Sequence, residues 1–231
     1  MKTTPFRIDV SQETLDDLHA RLKRSRLPDA PDGAGWSMGA DLAFMKRFGA
    51  HWLEKYDFRK HEAELNKFPQ FTADVDGTKI HFVHVRGRGP NPTPVLLIHA
   101  FPDSFYRFVK AIPPLTDPAS YGADPELSFD VVIPSLPGYG FSDPTPMSAD
   151  GTADVLAALM KGLGYDRYLA GGGDGPVPMA MSHRHADAVA GIYAVDVGTP
   201  IRALTSPASR PKSRSSPSGS RAGGCAKARS T

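Results

Sequence analysis

The feature that most constrains this chain is a short apolar segment that runs into three glycines and then a single carboxylate. The segment begins at Tyr168, the glycines occupy 171–173, and Asp174 follows them, ahead of Gly175-Pro176. Glycine tolerates unusual backbone angles and lets neighbouring strands come close, as a sharp turn requires. The residues from Gly175 onwards can begin a helix. The pattern therefore predicts a strand–turn–helix bend that carries Asp174.

The position of Asp174 allows two interpretations. The N-terminus of a helix presents free backbone N–H groups and the positive end of its dipole, which would keep the carboxylate ionised. An ionised carboxylate held on such a bend can attack an electrophilic carbon. Alternatively, the glycines form an ordinary loop in which Asp174 only caps the helix. The bend alone leaves both interpretations open.

Composition indicates a globular chain of one large domain or two small ones. It has 231 residues, of which 40% are hydrophobic and 23% charged. The single cysteine, Cys225, excludes an internal disulfide and a cysteine metal cluster, and suits a reducing compartment. The polar residues 1–7 lack the apolar core of a signal peptide, and the apolar run at 94–98 is too short to span a bilayer. We therefore expect a cytoplasmic protein without a membrane role.

Charge is distributed unevenly along the chain. Seven of the 27 Lys and Arg residues lie in 201–231, which has no Asp or Glu, so residues 1–200 carry 20 basic against 25 acidic groups. A basic segment can bind nucleic acid. This one has no aromatic residues among its charges and is rich in Ser, Pro and Gly. Such a composition favours a disordered, solvated tail without a specific nucleic-acid partner.

Periodicity divides the rest of the chain into a helical N-terminal module, 1–68, and an α/β core, 69–200. Apolar residues at helical spacing predict helices over 11–24, 41–55 and 58–67. The core begins with a strand–turn–strand signal around Asp76-Gly77. His81 and His84 lie on opposite faces of the second strand, which argues against a metal shared between them. Strands then alternate with helices, which predicts a parallel sheet of the α/β class. The predicted later strands are 94–98, 129–134, one starting at Tyr168, and 189–195; the predicted helices run through Phe108 to Ile112, over 152–163 and over 178–184.

These segments resemble one family in order and spacing: the epoxide hydrolases of the α/β-hydrolase fold, in the microsomal-type branch with a helical N-terminal domain. The resemblance covers about residues 5–200. His99-Ala100-Phe101-Pro102 resembles the His-Gly-X-Pro oxyanion loop of the family, although Ala100 stands where the family has glycine. Further motifs that carry the resemblance are Tyr56-Asp57-Phe58-Arg59, Pro137-Gly138-Tyr139-Gly140-Phe141-Ser142 and Gly164-Tyr165-Asp166-Arg167-Tyr168.

The resemblance implies a reaction and a set of site residues. Asp174 would attack a carbon of a small apolar epoxide to give an alkyl–enzyme ester, which water then hydrolyses to a vicinal diol. The backbone N–H groups of Phe101 and Gly175 would form the oxyanion hole. His99 and Pro102 would support the loop, with His99 structural rather than a general base. The resemblance implies no cofactor and no metal.

The resemblance also implies parts that this sequence does not match. In the family, a cap domain with ring-opening tyrosines, an acid partner and a catalytic histidine follow the sixth strand, whereas all eight histidines here lie at or before His185. The family also has an aromatic residue and a glycine where this chain has Gly175-Pro176. We therefore expect a truncated or frameshifted C-terminus, with 201–231 resembling an out-of-frame translation, and impaired turnover. An unpaired last strand at 189–195 would favour self-association through the sheet edge.

Two other functions fit the same pattern. A haloalkane dehalogenase also uses an aspartate nucleophile on this fold, but the helical N-terminal extension argues against that assignment. A non-catalytic binding or interaction protein would contain the same helical module and half of the sheet but would not turn over a substrate. Formation of a diol and covalent labelling at Asp174 would separate the enzyme from the binding protein.

Overall fold

The computed structural model describes residues 1–173 and 175–195. The helices expected in the N-terminal module are confirmed: α1 spans Gln12–Lys23, α2 Leu42–Lys55 and α3 Phe58–Leu65. Each begins after a side-chain cap, from Ser11, Asp41 and Asp57 in turn, whose oxygen accepts a hydrogen bond from a backbone N–H of the first turn. The predicted tail at 201–231 lies outside the described residues.

The helical module also contains a strand, which the periodicity did not predict. Thr3–Phe6 forms strand β1, which pairs antiparallel with β2, Gln70–Val75. Four residues that include a proline give no periodic signal of their own, and their pairing depends on a strand more than 60 positions away. The structure thus joins the start of the module to the core sheet.

The sheet has seven strands in the described residues, in the order β1-β2-β3-β5-β4-β6-β7. β3 spans Thr78–Val85, β4 Thr93–Ile98, β5 Phe129–Pro134, β6 Tyr168–Gly172 and β7 Val189–Ala194. β4 pairs in parallel with both β5 and β6, and β6 pairs in parallel with β7, whereas β1, β2, β3 and β5 form antiparallel pairs. The predicted α/β class is correct, and the sheet is mixed rather than wholly parallel.

Helices connect the later strands: α4 is Ile112–Thr116, α5 Ala149–Gly162 and α6 Pro176–Arg184. One helix was expected to run through Phe108 to Ile112, but the chain forms a 3-10 helix over Phe105–Phe108 and then α4. Pro113 lies in the first turn of α4, where the N–H that it lacks is not needed, whereas a helix continuing from Phe108 would need that N–H for a hydrogen bond to the carbonyl of Val109. The helix therefore starts anew at this point.

Both faces of the sheet contribute to buried clusters. On one face Phe82, Leu96 and Ile98 pack with Leu156 and Met160 of α5. The other face packs around Val83, Val131 and Ile133, with Phe105 and Ile112 from the connection that follows β4. Within the described part of the chain, no helix is both long and apolar enough to cross a bilayer.

Candidate active site

The loop after β4 and the bend after β6 meet at the carboxyl edge of the parallel strands. Ile98, the last residue of β4, pairs with Gly172, the last residue of β6. The N–H of Gly173 donates to the carbonyl oxygen of Ile98 over 3.3 Å. Open α/β sheets bind ligands at this edge. The register therefore places the predicted oxyanion loop, 99–102, beside the predicted bend.

The glycines of the bend are needed for close approach. A Cβ on Gly172 would overlap the carbonyl oxygen of Ile98 and lie 2.8 Å from its carbonyl carbon. A Cβ on Gly173 would lie 3.1 Å from the Cβ of Ala100. Neither glycine is among those with positive φ. The expectation that they supply unusual backbone angles is wrong here, whereas the expectation of close strand contact is confirmed.

The strand–turn–helix order is confirmed on both sides of position 174. β6 ends at Gly172, and α6 begins at Pro176 with the buried Gly175 as its N-cap residue. Proline suits the first helical position because the N–H that it lacks would have no partner within the helix. Gly175-Pro176 is thus compatible with a helix start directly after the bend. The predicted nucleophile, Asp174, lies outside the described residues.

His99 is buried, and each of its two ring nitrogens forms a hydrogen bond with a backbone group. Its Nε2 accepts a hydrogen bond from the N–H of Leu136 at 3.1 Å, and its Nδ1 lies 3.1 Å from the carbonyl oxygen of Ala100. Because a backbone N–H can only donate, Nε2 carries no proton and Nδ1 donates to Ala100. Burial lowers the pKa of His99 and favours this neutral form. These contacts fit a histidine that supports the loop.

Two residues of the predicted oxyanion loop, Phe101 and Pro102, lie at the protein surface. Phe101 is 73% exposed, and the peptide bond between Phe101 and Pro102 is cis. Ala100, by contrast, is buried against Gly173, which accommodates its methyl group. The roles of Phe101 and Gly175 as oxyanion donors, and of Pro102 as a support of the loop, remain predictions.

An ion pair above the bend was not anticipated from the sequence. Arg107 Nη1 lies 2.9 Å from Asp103 Oδ2, and a Cβ on Gly173 would lie 2.6 Å from the same Nη1. The guanidinium group also lies over the ring of Phe108. The ion pair therefore places a cation next to the backbone of Gly173. The only sequence signal was the spacing of four residues between Asp103 and Arg107.

A second polar cluster holds the segment that leads into β6. Asp130 Oδ2 accepts from the Tyr165 hydroxyl at 2.7 Å and from Arg86 Nη1 at 2.7 Å, while Oδ1 accepts from the Gly87 N–H at 2.8 Å. Burial alone would raise the pKa of Asp130, but these hydrogen bonds outweigh it and lower the pKa. Burial and the bond to Asp130 raise the pKa of Tyr165. This cluster fixes the start of the strand that carries the bend.

The two histidines of β3 have separate partners. His81 Nδ1 lies 2.9 Å from Ser135 Oγ and its Nε2 lies 3.0 Å from Gln70 Oε1, whereas His84 Nε2 lies 2.9 Å from the Tyr165 hydroxyl. Among residues 1–173 and 175–195, no group of three or more His, Cys, Asp or Glu residues is arranged to hold a metal ion. The histidines thus take part in the polar structure of the sheet.

Comparison with known proteins supports the resemblance. Residues 3–108 match the family model described as the epoxide hydrolase N terminus, and residues 93–209 match the model described as the alpha/beta hydrolase fold. A relative from Stigmatella aurantiaca, provisionally named an epoxide hydrolase, is 41% identical over 195 residues, which are 82% of this chain and 44% of the relative. Epoxide hydrolase 1 from Oryctolagus cuniculus is 36% identical over 74% of this chain and 39% of its own length.

A solved structure supports the fold as well. The epoxide hydrolase of Aspergillus niger superposes with a TM-score of 0.74 at 28% identity, covering 87% of this chain and 54% of that one. The present chain therefore spans less than half the length of these curated relatives and about half of the solved structure.

Proposed function

This chain belongs to the α/β-hydrolase family, in which its relatives are epoxide hydrolases, and from that premise we propose that it carries the nucleophile of an enzyme that hydrolyses epoxides to vicinal diols. The register of Ile98 with Gly172 is the observation that carries the proposal. It brings the start of the loop at 99–102 and Gly173 to one edge of the sheet. A nucleophile and two backbone donors can meet there.

The proposed reaction has two steps. A carboxylate oxygen of Asp174 attacks an oxirane carbon, the C–O bond of the ring breaks with its electron pair on oxygen, and the resulting alkoxide takes up a proton. Water then adds to the carbonyl carbon of the ester, and the N–H groups of Phe101 and Gly175 stabilise the oxyanion. The diol leaves with one proton of that water, the other proton passes to solvent, and the carboxylate is restored. Holding the carboxylate against the epoxide contributes roughly 7 kcal/mol or more to lowering the barrier.

We propose that this chain by itself turns over epoxides negligibly. Its best-placed histidine, His99, has both ring nitrogens in hydrogen bonds and a lowered pKa, so that it cannot readily accept a proton from water. Each missing general acid or base costs on the order of 10²–10⁴-fold in rate. Those groups would come from the portion of the relatives that this chain does not match.

The test is covalent labelling with a reactive epoxide such as styrene oxide. We expect the intact mass to increase by one epoxide, and peptide mapping to place the ester on Asp174. Asp174→Asn should abolish the label, whereas Asp166→Asn, a change of the same chemistry just before β6, should retain it. Hydrolysis of the isolated ester in H₂¹⁸O should place ¹⁸O in the carboxylate of Asp174. A folded chain that forms no adduct at Asp174 would contradict the proposal, and sustained diol production would contradict the impairment.

The remaining partners follow from the same premise. We propose a small apolar epoxide as substrate, no specific nucleic acid, no membrane partner and a cytoplasmic location. β7 has an unpaired edge in the described sheet, so we also propose that the chain self-associates there at high concentration. The molar mass of the purified chain, measured by light scattering over a range of concentrations, tests this point.

A further inference from the structure

A groove lies between α5 and the end of α6, beside the start of β6. It has a volume of about 500 Å³. Tyr168, which lines it, is the first residue of β6, whereas Gly172, next to the candidate active site, is the last. The groove is therefore a separate site at the opposite end of the strand. Its apolar lining comes from two tyrosines and four alanines: Tyr165, Tyr168, Ala157, Ala158, Ala186 and Ala188.

Tyr168 brings to this groove a hydroxyl group that has no partner. The residue is only 2% exposed, and within residues 1–173 and 175–195 its hydroxyl is the only buried side-chain oxygen or nitrogen that lacks a hydrogen bond. The neighbouring Tyr165 differs, because its hydroxyl donates to Asp130 at 2.7 Å. Burial raises the pKa of Tyr168 to about 12, so the hydroxyl keeps its proton at neutral pH and can donate. An unpaired buried hydroxyl is costly and requires an explanation.

The side chain of Tyr168 lies on the side of the sheet where the groove lies. Side chains of a strand alternate between its faces, and Ala170, two residues further on, packs in the same buried cluster as Leu156 of α5. Tyr168 belongs to that cluster and also lines the groove. Its hydroxyl lies beneath the groove surface, where bulk solvent does not reach it. A molecule in the groove meets the hydroxyl after a side-chain rotation of the kind that is common on binding.

The charged rim of the groove selects against an ionic ligand. Lys161 and Arg184 are positive, whereas Asp154, Asp166 and Asp187 are negative. Arg184 is already paired, with Nη2 2.6 Å from Asp154 Oδ2. A cation or an anion would therefore meet a like charge as well as an opposite one. A neutral molecule with an apolar body suits the alanine lining, and an oxygen on it can accept from the tyrosine.

We infer that this groove binds a small neutral alcohol or phenol. The ligand oxygen accepts a hydrogen bond from the hydroxyl of Tyr168, and its apolar body lies against the methyl groups of Ala157 and Ala158. The inference depends only on the groove and on Tyr168, and it is independent of the chemistry proposed for Asp174.

The experiment compares two probes that differ by one hydroxyl group, 4-fluorophenol and fluorobenzene. Each is titrated with the full chain and followed by ¹⁹F NMR. We expect 4-fluorophenol to bind more tightly, and Tyr168→Phe to weaken its binding by about threefold to tenfold, the value of one hydrogen bond, without affecting fluorobenzene. Ala158→Leu, which fills the groove with a residue that favours helices, should abolish the binding of both probes. Tyr121→Phe is the matched control, because Tyr121 is 61% exposed and lies outside the groove.

Urea unfolding of the chain without a probe gives a second measurement. Tyr168→Phe should leave the midpoint unchanged or raise it, because the hydroxyl has no hydrogen bond to lose. A lower midpoint would show that the hydroxyl already has a partner, and would overturn the inference. So would no binding of either probe, equal weakening of both by Tyr168→Phe, or binding that a folded Ala158→Leu chain retains. Circular dichroism shows whether each variant is folded.

Discussion

The contact between β4 and β6 predicts a large effect from the smallest possible change at the bend, Gly172→Ala. The added methyl group would overlap the carbonyl oxygen of Ile98 and lie 2.8 Å from its carbonyl carbon and 3.1 Å from its Cα. All three atoms belong to the backbone of the neighbouring strand, so that no side chain can rotate to make room. The two strands must separate locally, and the hydrogen bond from Gly173 to Ile98 weakens with them.

The expected cost follows from overpacking at a rigid site. Inserting a methylene-sized group into a packed interior destabilises by about 1–3 kcal/mol, and backbone contacts place Gly172→Ala at the upper end, near 3 kcal/mol. For a chain of this size each kcal/mol lowers the midpoint of thermal unfolding by about 2–4 °C. We therefore expect a decrease of about 6–12 °C, measured by circular dichroism, with a matching loss in urea unfolding.

The matched control is Gly49→Ala, which adds the same methyl group within α2. A Cβ on Gly49 would meet no atom within 4 Å, and alanine favours the helix over glycine by up to about 1 kcal/mol. This control should keep or raise the midpoint. If Gly172→Ala unfolds at the same temperature as the unsubstituted chain, the close approach of β4 and β6, and with it the geometry assigned to the bend, would be refuted.

Two further predictions concern buried ionisable groups. Asp130→Asn should lower the free energy of unfolding by about 1–3 kcal/mol at pH 7, because Arg86 and Tyr165 lose a charged acceptor. The pKa of Asp130 is lowered in the folded state, so its contribution is fully present above about pH 4 and is lost as the pH falls through that lowered pKa. Urea unfolding should accordingly show the difference between variant and parent decreasing as the pH falls below about 4, and a constant difference would contradict this. Burial lowers the pKa of His81 and of His84 to about 4, so the folded state binds fewer protons than the unfolded one, and stability should decrease as the pH falls from 6.5 towards 4. In urea titrations, His84→Gln should make the free energy of unfolding depend less steeply on pH over this range. An unchanged slope would show that His84 does not contribute.

Local signals in the sequence were sufficient for most of the secondary structure. The helices of the N-terminal module each follow a capping residue: Ser11, Asp41 and Asp57. The hairpin turns at Asp76-Gly77, where both residues have positive φ. The β6–bend–α6 order could be predicted as well, because glycines and a proline mark it within ten residues. Caps and turns depend on residues that lie only a few positions apart, so they can be predicted from a single sequence.

Long-range pairing was not predictable in the same way. Nothing in Thr3–Phe6 indicates its pairing with β2, and nothing in β5 indicates that it lies between β3 and β4. The position of the proton on the His99 ring depends on the N–H of Leu136, which lies 37 positions away in the sequence. Asp103 and Arg107 come close to the bend only because β4 pairs with β6. Each of these relations is made by contacts between segments whose sequences are independent of one another.

The sequence by itself therefore determined the order of the elements, the family resemblance and the residue types available for chemistry, because these depend on short-range patterns. The tertiary structure alone decided that the loop after β4 lies beside the end of β6, and that glycine is required at 172 because the carbonyl of Ile98 occupies the adjacent space. It also decided that Tyr193 of β7 is 70% exposed. The physical reason is that close packing is a property of surfaces brought together by folding, and no single segment contains both of them.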